Sequence, residues 1–201
     1  VTATGATVGD GLQLYSYTDD VRIFGGTFNS NAGWGINGYV GGGTVEAIGA
    51  QLCSNTAGGV QFTYGSLSGT IANKLGYAKK GTLIGNRACS NSGPGFSVQL
   101  ADYSAFSTIG GVEDMLLADN LSDNNVGVGF DLGLVRSSVT GNRSLNNQGN
   151  CFTIRSNKST TYSGNQAWDC GTSGTNRRGF EFLTAATTGS PPPNSTLITF
   201  T

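Results

Sequence analysis

Histidine is missing from all 201 residues of the chain. Its absence excludes Ser-His-Asp and Cys-His catalysis and every His-containing zinc site. Any chemistry must therefore run on carboxylates, Lys, Arg or Tyr. Charge is also scarce. Charged residues make up 11% of the chain, less than half the usual ~25%. Basic residues adjoin only as Lys79–Lys80 and Arg177–Arg178, so the clustered positive surface that nucleic acid requires is not there. No apolar run approaches the ~18 residues of a membrane span, and no signal-peptide pattern is present. Neither a nucleic-acid partner nor membrane insertion is expected. The cysteines are Cys53, Cys89, Cys151 and Cys170, without C-x-x-C spacing. No metal or cofactor site is expected from them.

What the chain does have is glycine, 33 residues of it, about twice the usual ~7%. The glycines fall in a polar turn that recurs: "GAQLCSNTAGGV" at 49–60, "GNRACSNSGPGF" at 85–96, "ADNLSDNNVGVGF" at 118–130 and "GNRSLNNQGNCF" at 141–152. Two anchors run through it. One is the residue closing the turn: Asn31, Asn55, Asn91, Asn124, Asn147 and, in sixth place, Cys170. The other is a small residue, Gly11, Gly35, Gly59, Gly95, Gly129, Cys151 and Gly179, always followed by an apolar one. After that anchor comes alternation, as in "VQFT" at 60–63, "FSVQ" at 96–99 and "FTIR" at 152–155. Alternation predicts strands with one face buried and one wet. A second apolar strand places Ile23, Ala47, Leu83, Leu116, Val139 and Tyr162 at one equivalent position.

A unit of ~22–24 residues with short strands and no helical period predicts one rung of a parallel β-solenoid. The chain then reads as a single all-β domain over 1–201, of about six to seven rungs. Gly and Asn tolerate the left-handed conformations that corners need. Stacked rungs put equivalent side chains ~4.8 Å apart, so corner Asn residues should bond in a ladder. The sequons at Asn120, Asn142, Asn157 and Asn194 are as many as chance gives in so Asn-, Ser- and Thr-rich a chain, and carry no localisation signal. Starting without Met and ending in "TLITFT", which reads as the opening of a further rung, the chain is expected to be part of a longer protein or to meet a partner there.

The "G-N-x-x-x-x-N-x-G-x-G" rungs resemble right-handed parallel β-helix repeats of the pectin-lyase-like superfamily. "SGNQAWDCGTSGTNRRGFEF" at 163–182 looks like a late rung of bacterial and phage β-helix proteins, tailspikes included. The resemblance implies a carbohydrate-directed protein at the cell exterior or virion surface, with polysaccharide as partner and a homotrimer or larger assembly as a possible form. It implies fold more specifically than function, because the repeated residues build coils in every member. A rigid, structural or adhesive shaft is the alternative. The acidic, histidine-bearing motif of the mannuronan epimerases and the calcium-binding aspartates of pectate lyases are not evident.

Outward positions of the post-anchor strand form two rows. The first is Gln13, Asn37, Gln61, Ser97, Asp131, Thr153 and Glu181; the second is Tyr15, Tyr39, Thr63, Gln99, Gly133, Arg155 and Leu183. Amides pair with sugar hydroxyls and aromatic faces stack on sugar rings, so Tyr15, Asn37, Tyr39, Gln61 and Gln99 are candidate substrate-binding residues. A solvated sheet face is the plainer reading. Asp131 and Glu181 stand two rungs apart, about 9.6 Å between backbones at ~4.8 Å per rung. That is close to the ~6.5–9.5 Å of inverting glycosidases. They are the candidate catalytic pair, with Arg155 between them as an orienting group; a surface ion pair of little energetic worth is the rival reading. Insertions at about 64–80 and 100–112 should stand as a wall over the rows. They bring Lys74 and Tyr77 as further binding candidates. Cys53 and Cys89 read as stacked buried thiols, Cys151 and Cys170 as the better disulfide candidates, and Trp34 and Trp168 as covers for the ends of the core.

Overall fold

The computed structural model describes residues 1–14, 20–38, 44–64, 80–100, 112–155, 159–171, 178–183 and 199–200. Among them there is no helix, and every strand pair is parallel. The first sheet stacks β1 (Leu12–Leu14), β3 (Trp34–Gly38), β6 (Gly58–Tyr64), β9 (Phe96–Leu100), β13 (Phe130–Leu132), β17 (Phe152–Arg155) and β20 (Phe180–Leu183), in that order. The second stacks β2 (Val21–Phe24), β4 (Thr44–Ile48), β7 (Lys80–Ile84), β11 (Met115–Ala118), β15 (Ser138–Thr140), β18 (Thr161–Ser163) and β21 (Thr199–Phe200). The third stacks β5 (Gln51–Cys53), β8 (Arg87–Cys89), β12 (Leu121–Asp123), β16 (Arg143–Leu145) and β19 (Gln166–Trp168). A small fourth pair joins β10 (Val112–Glu113) to β14 (Leu134–Val135). The chain visits the three main sheets in turn and then returns to the first. This all-β, all-parallel arrangement is consistent with a parallel β-helix.

Inward rows of the sheets form one core. Phe96, Phe130, Phe152 and Phe180 stack ring on ring, with centroids 4.8, 4.8 and 4.7 Å apart and planes within 7°. Inward row of the second sheet is Ile23, Ala47, Leu83, Leu117, Val139 and Tyr162. Leu117, not Leu116, holds that place: it is fully buried and lies opposite Leu83, while Leu116 lies opposite Thr82 and points outward. In "MLLA" two adjacent leucines leave the phase of the alternation open. Phe182 has inward parity but is 43% exposed, because β20 is the last strand of its sheet.

The corners explain the polar turn. Gly25, Gly49, Gly85, Asp119, Gly141 and Gly164 form one column at positive φ, and Ser30, Ser54, Ser90, Asn124, Asn146 and Asp169 another. Immediately after each column runs a buried amide ladder. In one, the backbone and side-chain N–H groups of Asn31 donate to Asn55 Oδ1, both at 3.0 Å. The same double bond repeats from Asn55 to Asn91, Asn91 to Asn125 and Asn125 to Asn147. Asn124, expected in this ladder, instead takes the positive-φ place and is exposed; Asn125 is the buried member. The second ladder, not anticipated, runs Asn86, Asn120, Asn142, Asn165. It buries two of the sequon asparagines, Asn120 and Asn142, completely.

The anchor column is small for a steric reason. A Cβ on Gly59 would lie 2.5 Å from the Gly95 carbonyl oxygen, inside any real contact. At Cys151 that column does carry a side chain, which is bonded to Cys170. Cys53 and Cys89 are not free thiols: they form a second disulfide. They are directly paired across adjacent parallel strands, with Cα atoms 4.5 Å apart, near enough for a bond.

Candidate functional site

The first sheet brings the outward polar row into register. Gln13, Asn37, Gln61, Ser97, Asp131, Thr153 and Glu181 follow one another strand by strand. Thr63 pairs with Gln99, and Arg155 with Leu183, in the second row. Thr153 therefore separates Asp131 from Glu181. The row is less wet than alternation implies. Asn37, Ser97, Asp131 and Thr153 are buried, Gln61 and Glu181 half-buried, and Gln13 exposed. Ser97 is short and is reached by the longer Gln99, whose Nε2 donates to its Oγ.

Asp131, fifth in the row, is bonded from the strands on both sides. Arg155 clasps it with two donors, Nε to Oδ1 and Nη2 to Oδ2, the second at 3.0 Å. Gln99 Nε2 also donates to Asp131 Oδ2 at 3.2 Å and to Ser97 Oγ at 3.1 Å. Side-chain exposure is 8% for Asp131 and 25% for Arg155, so this pair is partly desolvated and stronger than a surface contact. Glu181 has its own partners. Asn150 Nδ2 donates to Oε2 at 2.6 Å, and Arg178 Nη1 to Oε1 at 2.9 Å. Asp131, Arg155 and Gln99 thus form one hydrogen-bonded group. Glu181 belongs to a neighbouring one with Asn150, which also reaches Thr153 Oγ1 at 3.3 Å.

At the other end, Asn37 Nδ2 donates to Asp10 Oδ2 at 2.8 Å, and Trp34 N to Asp10 Oδ1 at 2.6 Å. Since a carboxylate only accepts, the amide orientation is fixed. Asn37 Oδ1 is then left buried without a hydrogen-bond partner among the described residues. Gln61 sits beside it in the row. Of the other binding candidates, Tyr15, Tyr39, Lys74 and Tyr77 lie outside the described residues, as does nearly all of both insertions.

Three partners were not anticipated: Asp10, Asn150 and Arg178. Each occupies the position just before the small anchor residue, ahead of Gly11, Cys151 and Gly179. Elsewhere that position holds Trp34, Gly58, Pro94 and Val128, so a polar residue there is the signal that would have found them. Trp168, expected to cover the core, is instead 49% exposed on the outer face of the third sheet. No protein-family model, curated protein or solved structure matches the chain.

Proposed function

We propose that the chain is a right-handed parallel β-helix of the pectin-lyase-like kind, with about six to seven rungs, and that it binds polysaccharide along the first sheet. The observation that carries this reading is the continuous polar row from Gln13 to Glu181, in register over seven parallel strands. A repeating polymer is matched by a repeating surface of amides, hydroxyls and carboxylates. Two disulfides support an oxidising location, the cell exterior or a virion surface. Cleavage would use Asp131 and Glu181 as the acid–base pair with Arg155 orienting one of them. Substrate would have to displace Gln99 or Arg155 to reach Asp131, and binding is therefore the primary activity in this reading.

A second reading, a structural or adhesive shaft, is favoured by one observation: Asp131 and Glu181 are already paired within the protein. A panel of neutral and acidic polysaccharides separates the two. It is read for binding, for new reducing ends and for the ultraviolet absorbance of unsaturated uronates. Turnover supports a hydrolase or lyase, binding without turnover a lectin-like protein. Silence across the panel with folded protein leaves the shaft.

A further inference from the structure

The third sheet has an outward face of a different character. Ser122 and Ser144 of its strands point into the core and are fully buried, and Ala167 packs against the core. Their neighbours on either side therefore point outward. Strand pairing arranges these as two rows: Gln51, Arg87, Leu121, Arg143 and Gln166 in one, and Cys53, Cys89, Asp123, Leu145 and Trp168 in the other. At the β19 end, Trp168 lies opposite Leu145, and Gln166 lies opposite Arg143. Trp168 is 49% exposed, and Gln166 and Arg143 are exposed too.

We propose that this face is a second glycan site, in which Trp168 stacks on a sugar ring and Arg143 engages that polymer's carboxylate or sulfate. The inference takes only its class of ligand from the polysaccharide reading above; the site lies on another sheet. Three observations carry it. The first is the half-exposed indole itself, a flat apolar surface with a polar rim, which matches a sugar ring's C–H face and hydroxyl edge. Its apolar neighbourhood is small, bounded by Gln166, Arg143 and Asp123.

The second observation is charge. Arg143 makes no ion pair among the described residues, whereas Arg87 has only a loose contact with Asp123, at 3.8 Å. Two arginines face one acid on this sheet, and a guanidinium without a partner is matched to a planar or tetrahedral anion. The third is rigidity. Trp168 O accepts from Asn146 N at 3.0 Å, and Gln166 N donates to Asn142 O at 2.8 Å. Two residues beyond Trp168, Cys170 is tied to Cys151. The backbone that carries the indole is therefore held in place before the ligand arrives, which reduces the ordering cost of binding.

The test titrates the whole chain with alginate, dextran sulfate and unmodified dextran, following tryptophan emission and affinity. Alginate and dextran sulfate distinguish a carboxylate from a sulfate ligand. At least one should bind and shift the emission, while dextran should not. Trp168→Ala and Arg143→Gln should each weaken that binding about tenfold, the scale of one lost stacking or charge-assisted contact. Both substitutions are at exposed positions, so melting should stay near that of the parent and confirm that the variants fold. Binding of neither anionic polymer overturns the proposal, as does undiminished binding by Trp168→Ala. If Gln61→Ala weakens binding and Trp168→Ala does not, the glycan sits on the first sheet: that reading stands and this one falls.

Discussion

Asn91 sits mid-ladder with every polar atom of its side chain in use. Its Oδ1 accepts from the backbone and side chain of Asn55, and its Nδ2 donates to Leu52 O and Asn125 Oδ1. Asn91→Ala should cost about 3 kcal/mol in urea unfolding, since it leaves the buried Asn55 N–H unmet and takes a donor from Leu52. Asn124→Ala should cost about 1 kcal/mol, chiefly through its positive φ, since its side chain makes only a long, exposed contact with Ser90 Oγ at 3.5 Å. Equal losses at the two positions would refute the ladder's role. The sequence pattern located the ladder but not its phase in "DNN", where two adjacent asparagines satisfy the same spacing; only burial separates them. Tyr162 adds a pH dependence. Burial pushes its phenol well above the ordinary value, so the folded state keeps a proton that the unfolded chain loses near pH 10. Stability is then fully present below about pH 10 and falls by about 1.4 kcal/mol per unit above it. Tyr162→Phe should remove that part of the alkaline slope, and an unchanged slope would refute it.

Among elements, the first sheet was the most legible. The small anchor and the alternation after it fix both its inward phenylalanines and its outward polar row. Phe130 has a parallel ring on each side, 4.8 Å away, and is fully buried. Phe130→Ala should cost ~3–5 kcal/mol, whereas Phe182→Ala, at the exposed end of the sheet, should cost much less. Melting curves of the two variants that coincide would mean that the ring stack does not carry the core. The third sheet was not legible, because its inward column is Leu52, Ala88, Ser122, Ser144 and Ala167, small or polar after the first, so no apolar alternation registers. That is also why Trp168 read as a core cover and Cys53 and Cys89 as stacked thiols. With serine and alanine turned inward, nothing in these strands says which side chains point outward.

For the whole molecule, the disulfides bridge adjacent repeats, across 36 residues between Cys53 and Cys89 and 19 between Cys151 and Cys170. Chain-entropy arguments assign such closures about 4 and about 3 kcal/mol, so reduction should lower the melting temperature markedly; an unchanged melt would show the stack to be self-sufficient. Stacking of repeats was readable from periodicity and set Arg155 on the rung next to Asp131, but the sheltered, two-donor form of their pairing was not readable. It arises between residues 24 apart in sequence, brought together only once the repeats align. That pairing also changes what Asp131→Asn will do. Removing the charge leaves Arg155 without its carboxylate at a largely buried site, at a cost of about 2 kcal/mol. Glu181→Gln, whose partner Arg178 is 52% exposed, should leave melting nearly unchanged. The most direct measurement on the first-sheet reading compares the parent with Glu181→Gln and Asp131→Asn on the polysaccharide that the parent binds. Binding should weaken in Asp131→Asn, where the Gln99–Asp131–Arg155 group is dismantled, and any turnover should be lost in both variants while both remain folded. Binding and turnover at parental levels in the two variants would contradict that reading.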